Sequence, residues 1–198
     1  MLITAATLAT SCGTQQETTD FEYNDERFAD LQMLRYKVEG FEDLSLRQKT
    51  LVYYLSQAAL SGRDILWDQN GRYNLRIRQL LESVYTDYQG DRESEDFKQF
   101  VVYLKRVWFS NGIYHHYGCD KFQPGFSEDF LRAAMKDVAA EKLPFDTEEL
   151  FPVIFDPTVL PKRTNQADGE DLVVTSGGNY YGQGVTQAEA EEIGRAHV

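Results

Sequence analysis

Apolar side chains recur every three or four residues along most of the chain, and this spacing predicts helices. Within each predicted helix the apolar positions fall on one stripe, so each is expected to bury that stripe in a core. This includes the segment after Ser45, which we expect to be a core helix. The pattern predicts helices in these segments: 28–36, 45–62, 74–90, 94–111, 127–143 and 146–156.

Polar residues stand where several of these helices begin. Ser45 followed by Gln48 matches a capping box, and Thr186 followed by Glu189 matches a second one. Ser94 and Ser127 also stand at N-cap positions. Asn74 would cap the start of its own helix in the same way.

One short run favours a strand instead of a helix. Residues 172–175 are apolar and β-branched, and a glycine-rich loop at 176–184 follows them. The expected fold class is therefore mainly α with a small β contribution near the C-terminal end, an α+β arrangement.

A loop at 112–126, which we call the aromatic loop, is unusually rich in rings. It carries Tyr114, Tyr117, Phe122 and Phe126 together with a pair of histidines. A surface loop has little apolar area to bury, so these rings must pack against something. Either the loop caps the core of its own domain, or its rings face a second domain or a ligand.

Composition excludes one class of partner. The chain has 198 residues, enough for one domain, and its mean hydropathy of −0.49 is typical of a soluble globular protein. Its 32 acidic residues against 20 Lys and Arg give a formal charge of −12. Without a basic surplus or cluster, no nucleic-acid partner is expected.

The first twenty residues read as an export segment. A short apolar run leads to Cys12 in a context that resembles a bacterial lipoprotein cleavage site, and 13–20 form a polar tether. This predicts lipidation of Cys12 and an exported protein, periplasmic or anchored to the cell envelope. The alternative is an apolar N-terminus that is not used as a signal, which leaves the protein cytoplasmic.

No self-contained active site is evident from residue types. His115 and His116 lie near Cys119, but no third remote ligand or His-Glu-x-x-His pattern accompanies them. The glycine-rich loop matches neither phosphate-binding pattern, and no Gly-x-Ser-x-Gly elbow is present. We therefore predict neither a catalytic residue nor a metal ligand in this chain.

Two motifs in this sequence form a pattern that is found together in one enzyme family. The first lies in the aromatic loop and reads Gly112-x-Tyr114-x-x-Tyr117-Gly118-x-x-Lys121-Phe122-x-Pro124. The second is the aromatic pair at 180–181, the glycines after it and the acidic helix at 185–190. With the early helix that begins at Ser45, these motifs resemble the dipeptidyl peptidase III family of two-lobed zinc exopeptidases.

The resemblance implies that 21–191 is the N-terminal part of the lower lobe of such a peptidase. The whole enzyme would release dipeptides from the N-termini of short peptides with zinc. The family's zinc ligands come from a His-Glu-x-x-Gly-His helix and a second glutamate helix, both downstream, so this fragment should bind no zinc and be inactive alone. By resemblance, Tyr117 lines the substrate cleft and His116 shares that wall.

Two further expectations concern completeness. Residues 192–198 match the translation of a sequencing-library adapter, which indicates a non-native tail; the alternative is a natural terminus. A truncated lobe should expose an apolar face where its remainder belongs. The alternative function is a complete, non-enzymatic, lipid-anchored helical domain that binds peptides or a partner protein through the aromatic loop.

Overall fold

The computed structural model describes residues 21–182 and 184–195, with side chains up to Ile193. The chain divides into two compact units, the first ending at Glu42 and the second beginning at Asp43. The fold class is mainly α with one small two-stranded antiparallel sheet. That sheet lies in the first unit, so the expected position of the β contribution near the C-terminal end was wrong.

The first unit contains a β-hairpin in place of the predicted helix at 28–36. Strands β1 (Asn24–Phe28) and β2 (Leu31–Leu34) pair antiparallel, with Phe28 opposite Leu31. Ala29 takes a positive φ of 48° in the two-residue turn, which a helix cannot accommodate. Leu34 is 51% exposed, so the apolar residues spaced by three are not buried as one stripe.

The second unit is built from helices joined by loops. Short 3-10 turns occupy 135–137, 140–142 and 147–149, so the predicted helix at 127–143 ends early. The helices are α1 (Leu46–Ser61), α2 (Arg63–Asn70), α3 (Asn74–Asp87), α4 (Glu95–Ser110), α5 (Glu128–Ala134), α6 (Leu150–Phe155), α7 (Leu172–Thr175) and α8 (Gln187–Arg195).

The core lies between α3, α4, α5 and α6. Helix α3 and helix α4 each present most of the apolar stripe that the sequence predicted, and rings from the aromatic loop complete the core. Tyr85 and Trp108, which the pattern also placed on these stripes, are 38% and 39% exposed. Side chains that are almost completely buried there include Ile77, Leu80, Leu81, Val84, Phe100, Leu104, Val107, Leu131, Leu150, Phe151 and Ile154.

Most of the predicted caps are confirmed. The hydroxyls of Ser45, Ser94 and Ser127 each accept a backbone N–H three residues on, and the Thr186 box is formed. The prediction for Asn74 was wrong. Tyr73 is the N-cap residue of α3, and the Asn74 side chain is buried with other partners.

Helix α1 is not the core helix that its pattern predicted, because it has no buried residue. Its apolar side chains run round the whole helix and lie in solvent together with two from α2. We call this the α1 surface. It comprises Leu46, Leu51, Val52, Tyr53, Tyr54, Leu55 and Leu60, with Ile65 and Leu66, each between 41% and 81% exposed.

The predicted strand at 172–175 is the short helix α7. The Asp171 carboxylate accepts the backbone N–H groups of Val173 and Val174, both at 2.9 Å. This N-cap outweighs the β propensity of four residues. Within the described ranges, none of the helices combines the length and apolarity needed to cross a bilayer.

Candidate functional site

The aromatic loop begins at a glycine held against a buried amide. Asn111 caps the end of helix α4 in the left-handed region, and Gly112 follows with φ of 144°. The Asn74 side chain lies where a Gly112 Cβ would stand. It donates to the carbonyl of Trp67 and accepts from the N–H of Ile113, each at 3.2 Å. Asn74 therefore fixes the direction in which the loop leaves the helix.

The two halves of the loop pair with each other. Tyr114 and Lys121 form an isolated antiparallel bridge, and the N–H of Phe122 donates to the carbonyl of Ile113 at 2.8 Å. The N–H of His115 donates to the backbone carbonyl of Asp120 and so forms the next pair. These bonds satisfy the backbone of a segment that is largely buried.

The tip of the loop, 115–119, is a tight turn built around one imidazole. His115 Nδ1 accepts the backbone N–H groups of Tyr117 at 3.2 Å and Gly118 at 2.9 Å. The N–H of Cys119 donates to the His115 carbonyl at 3.1 Å, and Cys119 has a positive φ of 62°. His115 is thus a structural residue of the turn.

Lys121 anchors the returning half of the loop from inside. Its ammonium donates to the carbonyls of Val153, Asp156 and Val159 at 3.0, 2.5 and 2.6 Å, and the residue is only 8% exposed. Burial lowers the pKa of Lys121, while the Asp156 charge acts in the opposite direction. A cation at the C-terminal end of α6 also complements the helix dipole.

Tyr114 joins the aromatic loop to the glycine-rich loop. Its hydroxyl donates to the Leu160 carbonyl at 3.0 Å, and burial raises the pKa of this phenol. Gly177 lies directly on the Tyr114 ring, where a Cβ would collide. The N–H groups of Gly177 and Gly178 donate to the backbone carbonyls of Lys162 and Arg163. The glycine-rich loop therefore serves here to cover Tyr114.

The four rings of the aromatic loop divide into two groups. Tyr114, Phe122 and Phe126 are 3%, 7% and 5% exposed, so they cap the core of their own unit. Tyr117 is 86% exposed. Three of the four rings therefore cap the core of their own unit, and Tyr117 is left exposed.

A small cluster of rings lies beside Tyr117. The His116 ring is 4.4 Å from the Tyr117 ring, between centroids, and Phe109 at the end of α4 lies edge-on to His116 at 5.0 Å. His115 stacks on His116 at 4.6 Å. The two residues predicted to contact a substrate, Tyr117 and His116, are thus adjacent in space as well as in sequence.

Arg163 supports the back of the tip. Its backbone N–H donates to the Cys119 carbonyl at 2.8 Å, and its guanidinium donates to the His116 carbonyl and to the Cys119 sulfur at 3.4 Å. Cys119 is a half-buried free thiol. Across the described part of the chain, no group of three or more His, Cys, Asp or Glu side chains is placed to hold a metal ion.

Sequence reasoning missed three residues that shape this site. The pattern predicts Asn74 as a cap, and Lys121 is only one position of the aromatic-loop motif. Phe109 was part of an aromatic helix end with no separate role. No pattern singles out Lys121, which stands between Asp120 and Phe122 in the sequence. Two sequence predictions lie outside the described residues: lipidation of Cys12 within the segment 1–20, and the part of the non-native tail at 196–198. Residues 192–195 of that tail continue α8.

No protein-family model matches the sequence, and a comparison with curated proteins also gives no match.

Proposed function

We propose that the chain is the N-terminal part of the lower lobe of a zinc-dependent dipeptidyl peptidase III, and that Tyr117 and His116 contact the N-terminal side chains of short peptides. The observation that carries this proposal is the exposure of Tyr117. Its ring is 86% exposed while the other three rings of the same loop are buried. A soluble protein gains nothing in stability from such a ring, which favours a role in binding.

The support beneath Tyr117 also favours binding. The turn bonds to His115 and the three carbonyl bonds of Lys121 fix the loop before any ligand arrives. A preformed site loses less conformational entropy on binding. A tyrosine ring offers apolar area with only two side-chain torsions to order.

The α1 surface supports the larger lobe that this proposal requires. Residues 51–55 are five consecutive exposed apolar side chains, and each step along a helix turns by about 100°. Apolar groups therefore face every direction, and a helix of this kind is normally enclosed by other elements. This agrees with the expectation that a truncated lobe exposes an apolar face.

In the whole enzyme, zinc held by the other lobe would polarise the scissile carbonyl, and the motif glutamate would activate water. The residues of this chain would bind and orient the peptide. With its ligands elsewhere, the chain alone should be inactive.

Sequencing the gene beyond the codon for Glu192 and expressing the longest open frame tests the assignment. The expected result is a frame containing His-Glu-x-x-Gly-His whose product cleaves dipeptidyl-arylamides, loses activity with a chelator and regains it with zinc. Hydrolysis by the 198-residue chain alone would refute the assignment.

The second candidate is a complete, non-enzymatic, lipid-anchored helical module that binds peptides or a protein through the same loop. Tyr117 exposure fits this candidate as well. A stop codon directly after the chain would favour it. In both cases we propose export, with lipid attachment at Cys12; a Cys12→Ser variant that still incorporates labelled palmitate would contradict the anchor.

A further inference from the structure

A stack of rings connects the exposed tip of the aromatic loop to the end of a long helix. Tyr117 is tilted by 46° against His116, and Phe109 meets His116 edge-on at 82°. His115 stacks on the other imidazole at 28°. Phe109 is the second-last residue of α4, so the stack transfers the fixed position of that helix to the tip.

The Tyr117 ring depends on this stack for its orientation. Its backbone is fixed through the His115 turn bonds, but 86% of the residue is exposed. Among the described residues, its ring contact is with His116. Because Phe109 also contacts the His116 ring, edge-on at 5.0 Å, it limits how far His116, and with it Tyr117, can rotate.

We propose that Phe109 is a positioning residue that sets the selectivity of this surface for peptides with aromatic N-terminal side chains. The inference rests on the proposed function, in which Tyr117 contacts the peptide. Aromatic pairs prefer offset-stacked or edge-to-face geometries, whereas an alanine side chain has no such preference. Holding Tyr117 in one orientation therefore favours an aromatic ligand specifically.

The test uses two tetrapeptide amides with free N-termini, Phe-Phe-Gly-Gly and Ala-Ala-Gly-Gly, titrated into the chain and followed by NMR. The wild-type chain should bind the aromatic peptide about tenfold more tightly than the alanine peptide. Phe109→Ala and Phe109→Leu should reduce this ratio to about two- to threefold, and Phe109→Tyr should restore it. The leucine variant keeps apolar volume, so it separates the ring from simple packing.

Trp108→Leu is the matched control. Trp108 precedes Phe109 on α4 and is equally exposed, at 39% against 38%, but its indole donates to Glu82 and its ring contacts Tyr85. This variant should keep the tenfold ratio.

The outcomes separate the two proposals. An unchanged ratio in folded Phe109→Leu, or an equal fall in Trp108→Leu, overturns the positioning role while leaving peptide binding intact. If the wild-type chain binds neither peptide, the proposed function fails, and the role of Phe109 fails with it.

Discussion

The side-chain amide of Asn74 occupies the space that a Cβ at Gly112 would need, so helix α3 and the start of the aromatic loop are in direct contact through a glycine. The same amide bonds the carbonyl of Trp67 and the N–H of Ile113. One buried side chain therefore links three segments, and the loop that displays Tyr117 depends on it.

Gly112→Ala should destabilise the fold. The new methyl would displace the Asn74 amide, and φ of 144° is a conformation that glycine adopts readily and alanine does not. We expect a loss of about 2–4 kcal/mol in the free energy of unfolding, measured with urea.

Gly62→Ala is its control, since a Cβ there would meet only the Ala59 carbonyl at 3.7 Å, an ordinary contact. Equal stability of Gly112→Ala and wild type would show that the Asn74 amide can move aside at no cost, and would contradict its role in fixing the start of the loop.

Replacing Lys121 with methionine should loosen the aromatic loop. The variant keeps the apolar stem but leaves the carbonyls of Val153, Asp156 and Val159 without their ammonium donor. We expect a loss of roughly 1–3 kcal/mol in the free energy of unfolding, with faster amide exchange at 115–122. Lys136→Met, at an exposed position, should change neither quantity. Unaltered exchange in Lys121→Met would argue against its anchoring role.

The free energy of unfolding should fall in acid partly through Asp156. Hydrogen bonds from the Thr158 hydroxyl at 2.7 Å and N–H at 2.8 Å lower the pKa of Asp156 in the folded state. A lowered folded-state pKa stabilises the fold above the unfolded pKa of about 4, and this stabilisation is lost as the pH falls through the folded value.

Urea unfolding at a series of pH values from 7 to 2 would measure this. Asp156→Asn should be less stable than wild type at neutral pH and approach it in acid, and Thr158→Val should show part of the same effect. A stability difference that does not depend on pH would assign the role of Asp156 to packing instead.

The sequence predicted α3 and α4 well because their stripes are long and their stripe residues do bury against one another. It also predicted three serine caps, since a hydroxyl three residues before a backbone N–H is a local relationship. Local rules failed where a local competitor was stronger. The Asp171 side chain caps 172–175, which therefore form helix α7 instead of a strand. The turn at Ala29 places Phe28 at the end of one strand and Leu31 at the start of the next, so 28–36 is not a helix.

The site could be predicted only in part. The composition of the loop indicated that its rings had to pack, but not that Tyr117 alone would remain exposed. That division depends on Lys121 and Tyr114, whose partners lie between 32 and 46 residues further along the chain. The pattern of α1 indicated burial, and the described residues do not bury it.

The central claim is that the exposed Tyr117 ring contacts short peptides, and an NMR titration with Phe-Phe-Gly-Gly amide tests it most directly. Tyr117→Ala should leave the free energy of unfolding within about 0.5 kcal/mol of wild type, because the ring is 86% exposed. Wild-type shift changes should concentrate at 115–119, and the variant should bind at least about tenfold more weakly. Equal affinity in Tyr117→Ala, or shift changes confined to other parts of the chain, would contradict the account.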